Sequence, residues 1–223
     1  MKPLIKICGL STPQTVQAAL DKGADMIGFI FFPKSPRNVS LEQAAMLRKP
    51  AIGRAAAVAV TVDTDDKALG EIVAAMSPDM LQLHGHESAE RVRQVKARFG
   101  LPVMKAISIR ERADLTQIAA YRGVADKFLL DAKAPKGAEL PGGNGISFDW
   151  TLLSALDPDL DYMLSGGLSA GNVAVALRIT HAPGLDVSSG VESAPGIKDI
   201  GLIDGFFAAV KAAAKELQLE QTA

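Results

Sequence analysis

MLQLHGHESAERVRQVKARFGLPVMKAI, residues 80–107, reads as strand, helix, strand. In the first run, 80–84, Leu81 and Leu83 alternate with Gln82 and His84, the period of two that a strand imposes. A charged segment from about 87 to 99 has helical length, and a second apolar run occupies 102–107. The same unit recurs on both sides. Strands are expected at 4–8, 26–31 and 56–62 before it, and at 127–131, 162–165 and 184–188 after it. Helices are expected from about 13 to 22, from near 40, and over 65–76, 111–122, 149–156, 169–179 and 200–219. Thr12 is placed to cap the first of these, and Pro13 suits its first position. Ser40 and Gln43 have capping-box spacing. Phe206, Val210, Ala213 and Leu217 recur at helical spacing near the C-terminus. Eight strands, each followed by a helix, predict an α/β fold, a single-domain (β/α)8 TIM barrel over residues 1–223. The alternative with the same local pattern is an open doubly wound sheet. An eight-stranded open sheet is large for this length, and no linker or shift in composition divides the chain, so closure is favoured.

The chain of 223 residues, 48% hydrophobic, is long enough to bury a core without disulfides or metals. Its 24 basic and 25 acidic residues leave a net charge of −1, which offers no footprint for nucleic acid or an anionic membrane. An anionic substrate must then be held by a local site. Cys8 is the one cysteine, so no intrachain disulfide forms, and a lone thiol fits a reducing compartment. The opening residues have neither the apolar core nor the cleavage site of a signal peptide, and no apolar run reaches membrane-spanning length. A cytoplasmic location follows as the expectation. The number of subunits is left open.

Polar residues fall late in the strands and on one face. In the first strand Lys6 and Cys8 oppose Ile5 and Ile7; in the sixth Asp131 opposes Phe128 and Leu130. In the fourth the polar pair is Gln82 and His84, and in the fifth the polar member is Lys105. Helices cover the outer face of a barrel, so the polar members are expected inside, toward the C-terminal mouth. Cys8, His84, Asp131, Ser165 and Ser188 then ring one mouth. Singly, each has a plain structural reading: a packed thiol, a turn aspartate, a satisfied histidine. Five in register on five strands point instead to an active site.

LSGGLS after the seventh strand and VSSGVE after the eighth look like a phosphate cradle, because these loops are where such barrels bind phosphate. The candidate residues are Gly166, Gly167, Ser188, Ser189 and Gly190. No metal is expected: His84, His86 and His181 are the three histidines, and no Cys or His pair has zinc spacing. Neither a dinucleotide fingerprint nor a P-loop occurs. Side-chain acid–base chemistry remains, with Cys8 and Asp131 the natural pair. Lys6, on the face of Cys8, either helps to stabilise a thiolate or pairs with another inward group. The residues themselves lead to proton transfer on a sugar phosphate.

KICG at 6–9, SPR at 35–37, QLHG at 82–85, LLD at 129–131, GGNGISFDW at 142–150, LSGGL at 164–168 and DVSSGVE at 186–192 resemble, in order and over almost the whole chain, the phosphoribosylanthranilate isomerase family. The resemblance implies a cofactor-free enzyme of tryptophan biosynthesis and the Amadori rearrangement of N-(5-phosphoribosyl)anthranilate. It implies Asp131 as the general acid that opens the ribose ring and Cys8 as the base that removes the C2′ proton. It also implies that Arg37 faces the anthranilate carboxylate, to which a guanidinium fork is suited. His84 is implied as a ligand-contacting or orienting residue, and the turns at 166–167 and 188–190 as the phosphate site. Rival readings are a lyase of the indole-glycerol-phosphate synthase type, a histidine-pathway sugar isomerase, and a non-catalytic phosphosugar-binding protein. The first relies on a lysine acid, the second on an aspartate where Cys8 stands, and the third does not require Cys8, Asp131 and Arg37 together.

Overall fold

The computed structural model describes residues 2–135, 137–138 and 140–222. Eight parallel strands close into a barrel in chain order: β1 (Leu4–Cys8), β2 (Met26–Phe31), β3 (Ala56–Thr61), β4 (Met80–Leu83), β5 (Val103–Ile109), β6 (Lys127–Ala132), β7 (Tyr162–Leu164) and β8 (Gly184–Val187). β8 pairs back onto β1, with Lys6 opposite Asp186, so the open-sheet alternative is excluded. Seven α-helices are described: α1 (Pro13–Asp21), α2 (Leu41–Arg48), α3 (Asp66–Met76), α4 (Ala89–Phe99), α5 (Ile118–Tyr121), α6 (Val173–Thr180) and α7 (Ile200–Thr222). None is long and apolar enough to cross a membrane.

Local chemistry accounts for most helix starts. The side-chain oxygens of Thr12, Ser40, Asp65 and Ser88 accept from the backbone N–H three residues on, satisfying donors that the first turn leaves free. At Ser40 only this half of the capping box forms. The Gln43 amide donates to the Ser11 carbonyl at 2.6 Å and so ties α2 to the loop after β1.

Three segments depart from the sequence reading. The helix expected over 111–122 is a 3-10 segment, Arg112–Gln117, followed by the single turn of α5. Its start is tightened by Asp114, which accepts from the backbone N–H of both Arg110 and Glu111. The helix expected over 149–156 is likewise 3-10, Trp150–Ala155, short and fixed by the Asp149 cap. After β8 an unanticipated antiparallel pair appears, β9 (Glu192–Ala194) and β10 (Ile197–Lys198). The long loop expected over 132–147 is loop wherever it is described beyond β6, residues 136 and 139 lying outside the described residues.

The main core lies between strands and helices and is built from side chains such as Ile5, Ile7, Phe29, Leu81, Leu83, Leu130 and Phe206. Met104, Ala106, Leu129 and Met163 fill the barrel interior, with Cys8, Val58 and Val60 packed as a second inner group. This overturns one expectation. Met104 and Ala106 take the inward face of β5, so Lys105 points outward. Its ammonium donates to the Leu83 and Gly85 carbonyls and pairs with Glu87 at 2.9 Å, below the Tyr121 ring. A lysine under the helical layer is possible here because all of those acceptors are built in around it.

Candidate active site

The C-terminal ends of the strands surround a cavity of about 780 Å3, a volume that includes its open mouth. Cys8, Arg37, His84, Asp131, Ser165, Gly166, Gly167, Ser188 and Ser189 all line it. Residues expected in one ring from strand register are therefore brought together. Gly190 alone of the expected set lies outside the lining, packed behind the wall against Leu168. A Cβ on Gly190 would stand 1.8 Å from the Leu168 carbonyl oxygen, a backbone atom that cannot swing aside. Glycine at 190 is thus needed to bring the turns after β7 and β8 together. Gly190→Ala is expected to force those turns apart at roughly 1–3 kcal/mol, the usual scale of overpacking. Thermal unfolding should show a melting temperature lower by roughly 3–10 °C, and an unchanged one would refute the contact.

Inside the mouth, Lys6 is fully buried and donates to Asp186 at 2.7 Å. Asp186 also accepts from the Ser165 hydroxyl at 3.2 Å. Burial pushes the Lys6 ammonium down, but Asp186 and Cys8 beside it leave it above the ordinary lysine value. Of the two readings that its position on β1 left open, Lys6 takes up the ion pair, with Asp186, and it lies beside Cys8. Burial pushes the Cys8 thiol up, and so does Asp186, while Lys6 and Lys198 partly offset them. Cys8 accordingly keeps its proton more firmly than a free thiol. The Lys6–Asp186 pair is weak evidence for stability, since the desolvation of both ions opposes their attraction, but removing one partner would strand the other's charge.

On the opposite wall, His84 Nε2 lies 3.2 Å from Asp131 Oδ2, and Gln82 Nε2 lies 2.9 Å from His84 Nδ1. Asp131 Oδ1 accepts from the Ala132 backbone N–H at 2.9 Å. Gln82 Oε1 is buried without a partner. With the amide in this orientation, Gln82 donates to Nδ1, so the neutral imidazole carries its proton on Nε2 and donates to Asp131. His86, two residues on, is exposed and belongs to a contact with Asp63 at the surface.

Arg37 sits on the loop between β2 and α2, where the Ser35 hydroxyl accepts from its backbone N–H. Its guanidinium already has a carboxylate partner: Nε and Nη2 donate to Glu192 at 2.7 and 2.8 Å, and Nη2 also reaches the Gly143 carbonyl at 3.3 Å. Lys198 shares Glu192 Oε1 with Arg37 Nε, at 2.5 Å, and donates to the Ser188 carbonyl and hydroxyl. The Ser188 hydroxyl donates in turn to the Cys8 carbonyl at 3.1 Å. Burial pushes the Glu192 carboxyl up, but Arg37 and Lys198 hold it below the usual carboxylate range. Residues 140–146 of the loop after β6 complete the wall. Sequence reasoning missed Lys198, the placement of Glu192 and the covering role of 140–146. The signals available were the Glu that ends VSSGVE and the turn-forming APG at 194–196, which marks a hairpin. No group of three or more His, Cys, Asp or Glu side chains suited to a metal ion occurs among the described residues.

The chain's relatives share this architecture and much of its sequence. Residues 5–209 match the family model described as N-(5′-phosphoribosyl)anthranilate isomerase. The N-(5′-phosphoribosyl)anthranilate isomerase of Brucella canis is 69% identical over 206 residues, covering 92% of this chain and 93% of that protein. The crystal structure of phosphoribosyl anthranilate isomerase from Thermotoga maritima superposes with a TM-score of 0.84 at 32% identity, covering 94% of this chain and 99% of that one. Another phosphoribosyl anthranilate isomerase, solved with reduced 1-(o-carboxyphenylamino)-1-deoxyribulose 5-phosphate, superposes with a TM-score of 0.82 at 30% identity, covering 94% of this chain and 99% of that one. Identity at this level across nearly the whole chain, on the same closed barrel, means that the chain belongs to the phosphoribosylanthranilate isomerase family.

Proposed function

We propose that this chain is the isomerase of tryptophan biosynthesis that converts N-(5-phosphoribosyl)anthranilate to 1-(2-carboxyphenylamino)-1-deoxyribulose 5-phosphate, working as one barrel domain in the cytoplasm with its active site at the C-terminal ends of the strands. The observation that carries the reading is that Cys8, Asp131 and Arg37 line one cavity with the turns after β7 and β8. A ligand anionic at both ends, carboxylated at one and phosphorylated at the other, suits such a cavity.

In the mechanism, protonated Asp131 gives its proton to the ribose ring oxygen. The C1′–O bond breaks as the anthranilate nitrogen lone pair forms the C1′=N bond, leaving an iminium. Cys8 as thiolate then takes the C2′ proton. The electron pair released forms C1′=C2′ and neutralises the iminium, and the enolamine tautomerises to the C2′ ketone. Because Asp131 ends as carboxylate and Cys8 as thiol, proton exchange with solvent or the tautomerising intermediate restores the pair. His84 orients the Asp131 carboxyl. Gly166, Gly167, Ser188 and Ser189 bind the phosphate, with Gly190 supporting the turn from behind. The chemistry asks for no cofactor, metal, nucleic acid or membrane.

The direct test is substrate fluorescence. Purified protein should abolish the anthranilate emission of freshly formed substrate at a rate proportional to enzyme, and a protein that only binds would leave the emission at its uncatalysed decay. Arg37→Ala is expected to raise KM for this substrate while leaving affinity for simple ribose phosphates nearly unchanged. Equal weakening of both ligands would move Arg37 to the phosphate end.

A further inference from the structure

We propose that Glu192 is a positioning and specificity-determining residue, occupying the Nε–Nη2 edge of Arg37 so that the ring carboxylate is read through Nη1 alone. This rests on the reading of Arg37 as the carboxylate partner. A guanidinium free in solution would meet a carboxylate through its two-pronged edge. Here that edge is closed: Glu192 takes Nε and Nη2, and the Gly143 carbonyl shares Nη2. Nη1 is the remaining end. Both partners are almost wholly buried, so this is no surface pair that solvent screens.

Glu192 is itself held from three sides. Lys198 bonds Oε1 at 2.5 Å, and the Gly196 N–H donates to Oε2 at 3.2 Å. Gly196 has φ +83 at the turn between β9 and β10, and a Cβ there would meet the Pro36 carbonyl oxygen at 2.6 Å. The hairpin therefore packs directly on the SPR loop and keeps Glu192 and Arg37 in one rigid unit. Burial pushes the Lys198 ammonium down, and Glu192 beside it opposes that shift, so the carboxylate of Glu192 serves both Lys198 and Arg37.

Holding the guanidinium in place before the ligand arrives removes an ordering cost from binding, and the gain appears only for ligands that use Arg37. The test is calorimetric binding of the reduced product and of the same compound without its carboxylate, with parent protein and with Glu192→Gln, Arg37→Ala and the double variant. The amide of Gln opposes one guanidinium N–H with another donor, so the fork breaks with little change of shape. Parent protein should favour the carboxylated ligand by roughly ten- to hundredfold, the usual scale of a charge-assisted hydrogen bond. Glu192→Gln should cut that preference about tenfold or more, leave the decarboxylated ligand's affinity unchanged, and raise KM more than it lowers kcat. In the Arg37→Ala background it should have no further effect. Glu192→Asp, whose shorter carboxylate falls back from the fork, should lose preference in the same direction. Equal weakening of both ligands by Glu192→Gln, or an intact preference, overturns the assignment. A parent protein without any preference would refute Arg37 as carboxylate partner, which is a separate failure visible before any variant is made.

Discussion

Asp131→Asn is expected to fold, to bind the reduced product nearly as well as the parent, and to turn over roughly 10²–10⁴-fold more slowly, the usual scale of general acid catalysis. An amide keeps the size of the carboxyl and a contact with His84, whose Nε2 lies 3.2 Å away. What it lacks is a proton that can be given to the ring oxygen. The loss should therefore fall on kcat and not on KM, because ring opening is the step removed. A phosphate-ester substrate whose ring is already open should escape most of the loss. Near-normal turnover on the cyclic substrate would remove Asp131 as the acid, and Asp186, which lines the same cavity, becomes the next candidate.

Cys8→Ser should also fold and bind product analogue, and its turnover is expected to fall by roughly 10²–10⁴-fold. A hydroxyl packs where a thiol packs but does not yield a usable anion near neutral pH. Burial pushes the Cys8 thiol up despite the opposing influence of Lys6 and Lys198. The sign of the pH effect follows. The thiolate is scarce at and below the ordinary thiol range and becomes abundant only as pH rises beyond it. Alkylation by iodoacetamide should therefore accelerate with rising pH through and above that range, inactivate in parallel, and slow when product analogue fills the cavity. A thiol that is merely packed makes the opposite forecast: resistance to alkylation, and a serine variant that melts early yet turns over normally per folded molecule. Melting temperature measured beside turnover separates the two.

Much of the barrel could be read from residue order, because it rests on local rules. Alternation in MLQL, the Thr12 and Ser40 caps and the spacing of Phe206, Val210 and Ala213 each express contacts within a few residues. Strand-end position was enough to gather Cys8, His84, Asp131 and Ser188, since a parallel barrel turns every strand's C-terminal end to the same face. The 3-10 segments at Arg112–Gln117 and Trp150–Ala155 escaped the same rules. Their residues suit a helix, and the tighter winding answers to local side-chain caps and to short connections back to the sheet.

Charge pairing was decided by the tertiary structure. Lys105 shares a strand pattern with Lys6, yet one faces Glu87 under the helices and the other Asp186 inside the barrel. The difference lies in which face Met104 and Ala106 fill, a matter of packing across strands far apart in sequence. Lys6 and Asp186 are separated by 180 positions, and Arg37 and Glu192 by 155. No periodicity links such pairs, because an ion pair depends on distance in space and on burial. The sequence by itself determined the eight-fold alternation and the identities of the groups at the mouth, both carried by short-range order. Only closure of β8 onto β1 and the seating of the β9–β10 hairpin on the SPR loop decided which buried charges are balanced by the protein and which donors of Arg37 are taken by Glu192.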